Sequence, residues 1–190
     1  MWRHFRNPGP QSDFNLKVCH WNIGSIVVRR FEKLSLLKTY NAIHNFDIIC
    51  LSETFLDSSY SSEDHDLTLD SYKLIRADHP LNIKRGGVCI YYRESLPIKV
   101  VDVSQLNECL LIEIICNNQK CFIVSLYRSP SQSNEQFDDF IENFELLLDS
   151  IYDKNPYLVM VVGDFNATWR SEDHDSIEGI RLENSANVFG

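Results

Sequence analysis

Four polar segments in this sequence each follow an apolar, strand-like run and could coordinate a cation. The four segments are Asn22, Glu53, Tyr127-Arg128 and Asp164-Phe165-Asn166. Strands that end at one edge of a sandwich could bring these side chains into a single cleft. Carboxylate and amide oxygens are the ligands that Mg²⁺ prefers in proteins. The pattern therefore predicts a magnesium site assembled from the ends of several strands.

Each segment also has an explanation that involves no function. Asn22 could cap the following turn, Glu53 could be a solvated residue at a strand end, and Tyr127 could border the core. The segment Gly163-Asp164-Phe165-Asn166 is harder to explain in this way, because its Asp and Asn are two residues apart and point to the same side. An Asx turn could produce the same arrangement, but we favour the functional interpretation for this segment.

Composition indicates one globular domain. The chain has 190 residues, of which 44% are hydrophobic and 24% are charged, and a chain of this length can bury a sizeable core. No apolar run approaches the roughly 18 residues of a membrane helix. Residues 1–15 are polar and lack the apolar core of a secretory signal, so we interpret them as a loose leader before a domain at 16–190.

Charge and cysteine usage restrict the partners and the metal. The formal net charge of −9 argues mildly against a nucleic acid, which usually binds a basic surface. A carboxylate site for Mg²⁺ weakens that objection, because the metal brings its own positive charge to a phosphate. The six cysteines contain no C-x-x-C pair, which predicts free buried thiols in a reducing compartment and no zinc site.

The predicted elements place the polar segments at strand ends. Strands are expected at 16–21, 47–52, 72–77, 88–93, 98–101, 110–116, 120–126 and 157–162. One helix is expected from about Arg30 to His44, and a second follows the capping-box sequence Ser133-x-x-Gln136. The first helix repeats apolar residues at three-residue steps, predicting a buried face of Phe31, Leu34, Leu37, Tyr40 and Ile43. Mixed hairpins and crossovers favour an α+β (α/β layered) fold with two packed sheets and outer helices.

The four segments resemble the signature motifs of the endonuclease–exonuclease–phosphatase superfamily of Mg²⁺-dependent phosphodiesterases. They read Trp-Asn-Ile at 21–23, Leu-Ser-Glu-Thr at 51–54, Tyr-Arg-Ser-Pro at 127–130 and Gly-Asp-Phe-Asn at 163–166. The last is the most specific, and together they span about four fifths of the chain. The amino-acid sequence at residues 19–23, 86–92 and 127–130 is most similar to that of the endonuclease domain of non-LTR (LINE-type) retrotransposons.

This resemblance implies a DNase I-like sandwich that hydrolyses a phosphodiester by in-line attack. It implies that Glu53 is the main ligand of Mg²⁺, with Mn²⁺ as the alternative metal, and that Asn22 holds the metal shell. Asp164 would orient and deprotonate the attacking water. The implied partners are DNA and a downstream reverse transcriptase domain, with no membrane, and the family implies a nuclear location.

The resemblance also assigns the phosphate contacts. Asn166 would hydrogen-bond the scissile phosphate and fix Asp164, Tyr127 would donate to a phosphate oxygen, and Arg128 would add positive charge there. These residues, with Asn22 and Glu53, complete the implied catalytic set.

One expected motif is missing. The superfamily usually closes with Ser-Asp-His, which does not occur in this sequence. His174 lies in a polar stretch soon after Asn166, and we interpret His20 as packed or exposed, so neither is expected to replace that histidine. We therefore expect a C-terminally truncated domain with little activity of its own. The alternatives are a phosphatase or lipid phosphodiesterase on the same scaffold, or a non-catalytic remnant.

Overall fold

The computed structural model describes residues 16–81, 83–116 and 118–167, together with residue 181. Its helices and strands, in chain order, are β1 Val18–Asn22, α1 Glu32–His44, β2 Ile48–Ser52, β3 Tyr72–Ala77, β4 Val88–Arg93, β5 Ile98–Val101, β6 Cys109–Cys116, β7 Gln119–Tyr127, α2 Asn134–Tyr152 and β8 Leu158–Asp164. A single 3₁₀ turn at His65–Leu67 interrupts the loop between β2 and β3. The leader predicted at residues 1–15 and the position of His174 lie outside the described residues.

The strands form two four-stranded sheets with similar layouts. The first sheet has the order β1-β2-β4-β3 and the second has the order β5-β6-β7-β8. Each contains one parallel pair, β1 with β2 and β7 with β8, and its other pairs are antiparallel. Helices α1 and α2 join the parallel pairs, because parallel neighbours require a crossover connection. The carboxyl ends of both parallel pairs therefore carry the polar segments.

Three apolar layers hold the sheets and helices together. The layer between the sheets comes from alternate residues of both, including Ile48, Cys50, Ile90, Ile112 and Ile123. The opposite faces of the first and second sheets pack against α1 and α2 respectively. All five residues of β2 are buried, which agrees with its nearly continuous apolar run. The predicted α+β fold of two packed sheets with outer helices is confirmed.

Helix α2 forms as its sequence predicts. The Ser133 hydroxyl accepts a hydrogen bond from the Gln136 backbone N–H, and the Gln136 side chain accepts one from the Ser133 N–H. This reciprocal capping box satisfies two N–H groups that have no partner within the helix. The buried face consists of Phe137, Phe140, Ile141, Phe144, Leu147, Leu148 and Ile151.

The predicted buried face of α1 is only partly correct. Leu34 and Leu37 are buried, but Tyr40 is 40% exposed and Ile43 is 72% exposed. Because an α-helix has 3.6 residues per turn, each three-residue step rotates the side chain by about 60° away from the starting face. After two steps beyond Leu37 the side chain faces away from the first sheet.

The thiols and the helix lengths also agree with the sequence predictions. All six cysteines are buried and free. In the part of the chain that the structure describes, neither helix is both long enough and apolar enough to cross a membrane.

Candidate active site

The carboxyl ends of four strands supply the polar side chains of the candidate site. Asn22 is the last residue of β1, and Glu53 directly follows β2. Tyr127 and Asp164 are the last residues of β7 and β8, where they pair in register. Each sheet therefore contributes two neighbouring strand ends, and the site lies where the two sheets meet.

Asn22 joins the two carboxylates of the site. Its Nδ2 donates to Glu53 Oε1 at 3.0 Å and to Asp164 Oδ2 at 2.6 Å. Its Oδ1 accepts from the Gly24 backbone N–H at 3.1 Å, which fixes the orientation of the amide. Charge-assisted hydrogen bonds of this kind are stronger than neutral ones. A single amide thus holds two carboxylates that come from different sheets. The two residues are 111 positions apart in the sequence (164 − 53).

Close backbone contact positions Asp164. The backbone N–H of Arg128 donates to the Asp164 carbonyl at 2.9 Å. A Cβ atom added at Gly163 would lie 2.0 Å from the Leu126 carbonyl oxygen, so any side chain would push the two strands apart. The glycine before Asp164 therefore permits the strand pairing that places the carboxylate beside Tyr127.

Asn166 closes a tight turn around Asp164. Its backbone N–H donates to Asp164 Oδ1 at 3.0 Å, and its Nδ2 donates to the Arg128 carbonyl at 2.7 Å. Asn166 has φ 46°, a left-handed conformation that Asn adopts more readily than most residues. This turn is the Asx arrangement that the sequence left open, and it directs both oxygens of Asp164 to hydrogen-bond donors.

Arg128 is directed at this same turn. The side chain is buried, its Nε donates to the Phe165 carbonyl at 2.5 Å and its Nη2 donates to the Asn166 carbonyl at 2.5 Å. The guanidinium also lies over the Phe137 ring at 4.9 Å. These contacts support a role in holding the Asp164–Asn166 turn. A phosphate contact by Arg128 stays a prediction that this geometry does not favour.

Tyr127 lies in an environment dominated by negative charge. Burial, together with Glu53, Glu108 and Asp164, raises the pKa of Tyr127 to about 12, and a hydrogen bond with the Asn166 side chain opposes the rise. The phenol therefore keeps its proton and can donate it. An open cavity of about 480 Å³ is lined by Tyr127 and Glu108 but by neither Glu53 nor Asp164, so it borders the site on one side only.

The segment that carries Glu53 has an unusual backbone. Glu53 and Phe55 have φ 55° and φ 56°, a region that residues other than glycine rarely occupy. The backbone N–H groups of Thr54 and Phe55 donate to the Gly87 and Gly86 carbonyls at 3.2 and 3.0 Å. The turn before β4 therefore holds Glu53 in a strained conformation.

His20 packs beneath the site. Its Nε2 lies 3.1 Å from Ser52 Oγ, one layer below the pair formed by Asn22 and Ser52. Burial lowers the pKa of His20 to about 4, although the Asp164 charge opposes the shift. The imidazole is therefore neutral near pH 7 and supplies no positive charge.

The oxygen donors of the site are compatible with a hard divalent cation. Among residues 16–81, 83–116 and 118–167, no group of three or more His, Cys, Asp or Glu side chains could hold a metal. Mg²⁺ commonly binds through one or two carboxylates, keeps several water ligands and uses substrate phosphates. Glu53, with Asp164 beside it, fits that requirement. The metal roles of Glu53 and Asn22 stay predictions, and the Asn22 oxygen already accepts a hydrogen bond from the Gly24 N–H.

Known structures share this fold across most of the chain. An AP endonuclease from Leishmania major superposes with a TM-score of 0.77 at 15% identity, covering 99% of this chain and 72% of that one. The endonuclease domain of TRAS1, a telomere-specific non-LTR retrotransposon, gives 0.64 at 13% identity, covering 92% and 71%. A mannosyl-6-phosphatase from Bacteroides thetaiotaomicron gives 0.61 at 15% identity, covering 89% and 70%. At these identities the similarity establishes the fold.

The sequence itself identifies the family. Comparison with curated proteins finds no match. Residues 19–189 match the profile of the endonuclease/exonuclease/phosphatase family, and this range contains all the strand ends of the site. The chain therefore belongs to the endonuclease/exonuclease/phosphatase family, whose members hydrolyse phosphate esters.

Proposed function

We propose that this chain is a Mg²⁺-dependent phosphodiesterase that nicks DNA, of the type found in non-LTR retrotransposons. The observation that carries the proposal is the Asn22 amide, which holds Glu53 and Asp164 together from different sheets. Two adjacent carboxylates repel each other unless a donor or cation lies between them. With the two carboxylates held side by side, Glu53 could bind a metal ion while Asp164 contacts a water molecule.

The residues of the site divide the reaction between the two sheets. When bound, the divalent cation would supply positive charge to a phosphate oxygen. Glu53 would hold it, and Asp164 would accept a proton from the attacking water as the new P–O bond forms. Tyr127 and the Asn166 side chain would donate to phosphate oxygens. The ester P–O bond then breaks, and the leaving oxygen takes a proton from solvent.

Exposed cations on two loops of the first sheet favour DNA as the substrate. Arg29 and Arg30 are exposed in the loop after β1, where Arg29 pairs with Glu32, and Lys84 and Arg85 are exposed just before the turn that contacts the Glu53 segment. Helix α2, on the outer layer, carries six carboxylates and no Lys or Arg. The net charge of −9 therefore does not describe the local surface, and phosphate neutralisation depends on local cations.

The family also contains phosphatases, so the assay must separate diesters from monoesters. The purified chain is incubated with supercoiled plasmid, a chromogenic phosphodiester and the matching phosphomonoester, each with Mg²⁺ and with EDTA. We expect Mg²⁺-dependent plasmid nicking that Asp164→Ala abolishes. Asp149→Ala, an exposed carboxylate on α2, is the control and should not change the rate.

The expected rate is low. Ser-Asp-His does not occur in the sequence, and a general acid–base group typically contributes about 10²–10⁴-fold. Turnover of the monoester with no nicking would show that the chain is a phosphatase and not a nuclease. No turnover of any substrate would favour the non-catalytic remnant.

The resemblance further leads us to propose a reverse transcriptase domain in the same element and action in the nucleus.

A further inference from the structure

Glu108 is a buried carboxylate that the reaction scheme above does not use. It lies just before β6, is 7% exposed and has φ 50°. Residues in this conformation persist where surrounding contacts determine them, and such outliers cluster at functional sites. Burial raises the pKa of Glu108, and the Gly87 N–H and the charge of His79 oppose the rise. No salt bridge of Glu108 is found among the described residues.

Two hydrogen bonds of Glu108 connect the sheets. Its Oε1 accepts from the Gly87 backbone N–H at 2.5 Å, at the turn before β4 of the first sheet. Its carbonyl accepts from the Tyr127 backbone N–H at 3.0 Å, at the end of β7 of the second sheet. One residue therefore fixes the turn that contacts the Glu53 segment and the strand end that carries the phenol.

The packing around Glu108 leaves little space for movement. A Cβ atom added at Gly86 would lie 2.0 Å from Glu108 Oε1 and 3.0 Å from Tyr127 Cε1. At Gly87 it would lie 2.6 Å from the Thr54 hydroxyl oxygen. The carboxylate, the phenol ring and the segment after β2 therefore each lie close against the glycine turn. A shift of the turn would be transmitted to both sides of the site.

We propose that Glu108 is a positioning residue, which acts through the Gly86–Gly87 turn to hold Glu53 and Tyr127 in their relative places. The inference rests on the proposed function for its kinetic effect, but not for its structural effect. Removing the side chain leaves the buried Gly87 N–H without its acceptor, so the turn and the Thr54–Phe55 amides that bond to it should loosen.

The first test measures the turn without using catalysis. Amide hydrogen exchange is compared in the wild type, Glu108→Ala, Glu108→Gln and Glu113→Ala. Glu113 is the matched control, because it lies on β6 paired with Phe122 and Lys99, away from the strand ends of the site. We expect loss of protection at Thr54, Phe55 and Gly87 in Glu108→Ala only. Glu108→Gln keeps an oxygen acceptor and should retain protection. Unchanged exchange in a folded Glu108→Ala would overturn the proposal.

The second test separates positioning from general stability. At a temperature where every variant is folded, Mg²⁺ affinity is measured by calorimetry, and kcat and KM are measured on the chromogenic diester. Glu108→Ala should bind Mg²⁺ more weakly and lose about 10²-fold in kcat, as expected for a misplacement near 1 Å. Glu108→Gln should restore both values. A normal Mg²⁺ affinity and kcat in Glu108→Ala would contradict the inference.

Gly86→Ala gives an independent variant if Glu108→Ala does not fold. Its added methyl group should displace the Glu108 carboxylate and reproduce the loss of protection at the turn. Where both single variants fold, the kcat losses in the Gly86→Ala/Glu108→Ala double variant should be less than additive, because the clashing carboxylate is gone. Additive losses would overturn the inference. If the wild type shows neither metal binding nor turnover, the proposed function fails, while the exchange result still decides the role of Glu108.

Discussion

The two sheets build equivalent halves of the site by different means. Each contributes the ends of a parallel strand pair joined by a helix. In the first sheet, Glu53 leaves a fully buried central strand and is held by a strained backbone and a neighbouring turn. In the second sheet, Asp164 ends β8, which comes last in the strand order of the described residues and is half-buried or exposed along its length, and hydrogen bonds of Asn166 and Arg128 fix its turn.

The different supports of Glu53 and Asp164 fit the different roles proposed for the two carboxylates. Under the proposed function Glu53 binds the metal and needs a fixed position, which its buried strand and the neighbouring glycine turn supply. A residue that exchanges a proton with water needs access to solvent. Regions with fewer buried contacts open locally at lower free energy, so the Asp164 half should depend more on its individual hydrogen bonds than the Glu53 half does.

Apart from the two carboxylates themselves, the largest effect is expected at Asn22, which links the halves. Asn22→Ala removes the hydrogen bond that the amide donates to each carboxylate and leaves the two carboxylates free to separate. We expect a loss of about 10²-fold in kcat/KM, the scale that follows from misplacement of reacting groups. Plasmid nicking and diester turnover measure it, with Asp149→Ala on α2 as the control. Activity within twofold of wild type would show that the amide does not organise the site.

Two glycines test the local support of each half. Gly163→Ala should destabilise the fold by about 1–3 kcal/mol, the range for forcing atoms into a packed region, because its Cβ would meet the Leu126 carbonyl. Gly24→Ala, after Asn22, meets only the Lys33 ammonium at 3.4 Å, so its effect should be smaller and come from φ 49°. Urea unfolding measures both. An equal or reversed order would contradict the proposed support for Asp164.

The smallest effect is expected at the basic residues beside the first sheet. Lys84→Ala/Arg85→Ala should weaken DNA binding and reduce the slope of log K against log salt by roughly 2, about 1 for each phosphate contact. Lys73→Ala is the control, because it is exposed on β3 at the end of the first sheet away from the site. Fluorescence anisotropy at several salt concentrations measures the slope. A slope unchanged from wild type would remove the support for DNA that these cations supply.

Much of this arrangement could be predicted from the sequence because the signals are local. Strands 72–77, 88–93 and 98–101 have the predicted bounds, since each is a short apolar run between turn residues. Asn22, Glu53 and Asp164 come together as expected, since each ends a strand. The capping box of α2 likewise depends on residues only three apart.

The remainder depends on contacts between distant residues. Glu108 gave no signal, because its partner Gly87 is 21 residues away and its burial follows from the packing of two sheets. No local pattern indicated that the Arg128 guanidinium bonds to carbonyls 37 and 38 residues further along, and its phosphate contact stays a prediction. A local pattern does not reveal which of several donors faces the substrate and which holds the backbone.

The central claim is that Glu53 binds the metal and Asp164 accepts the proton. Its most direct test is a metal titration of two isosteric variants. Glu53→Gln and Asp164→Asn are compared with wild type for Mg²⁺ affinity by calorimetry and for kcat on the chromogenic diester. The account predicts that Glu53→Gln weakens Mg²⁺ binding, while Asp164→Asn binds Mg²⁺ nearly as wild type does and loses about 10²–10⁴-fold in kcat. Equal loss of Mg²⁺ affinity in both variants, or normal turnover by Asp164→Asn, would contradict it.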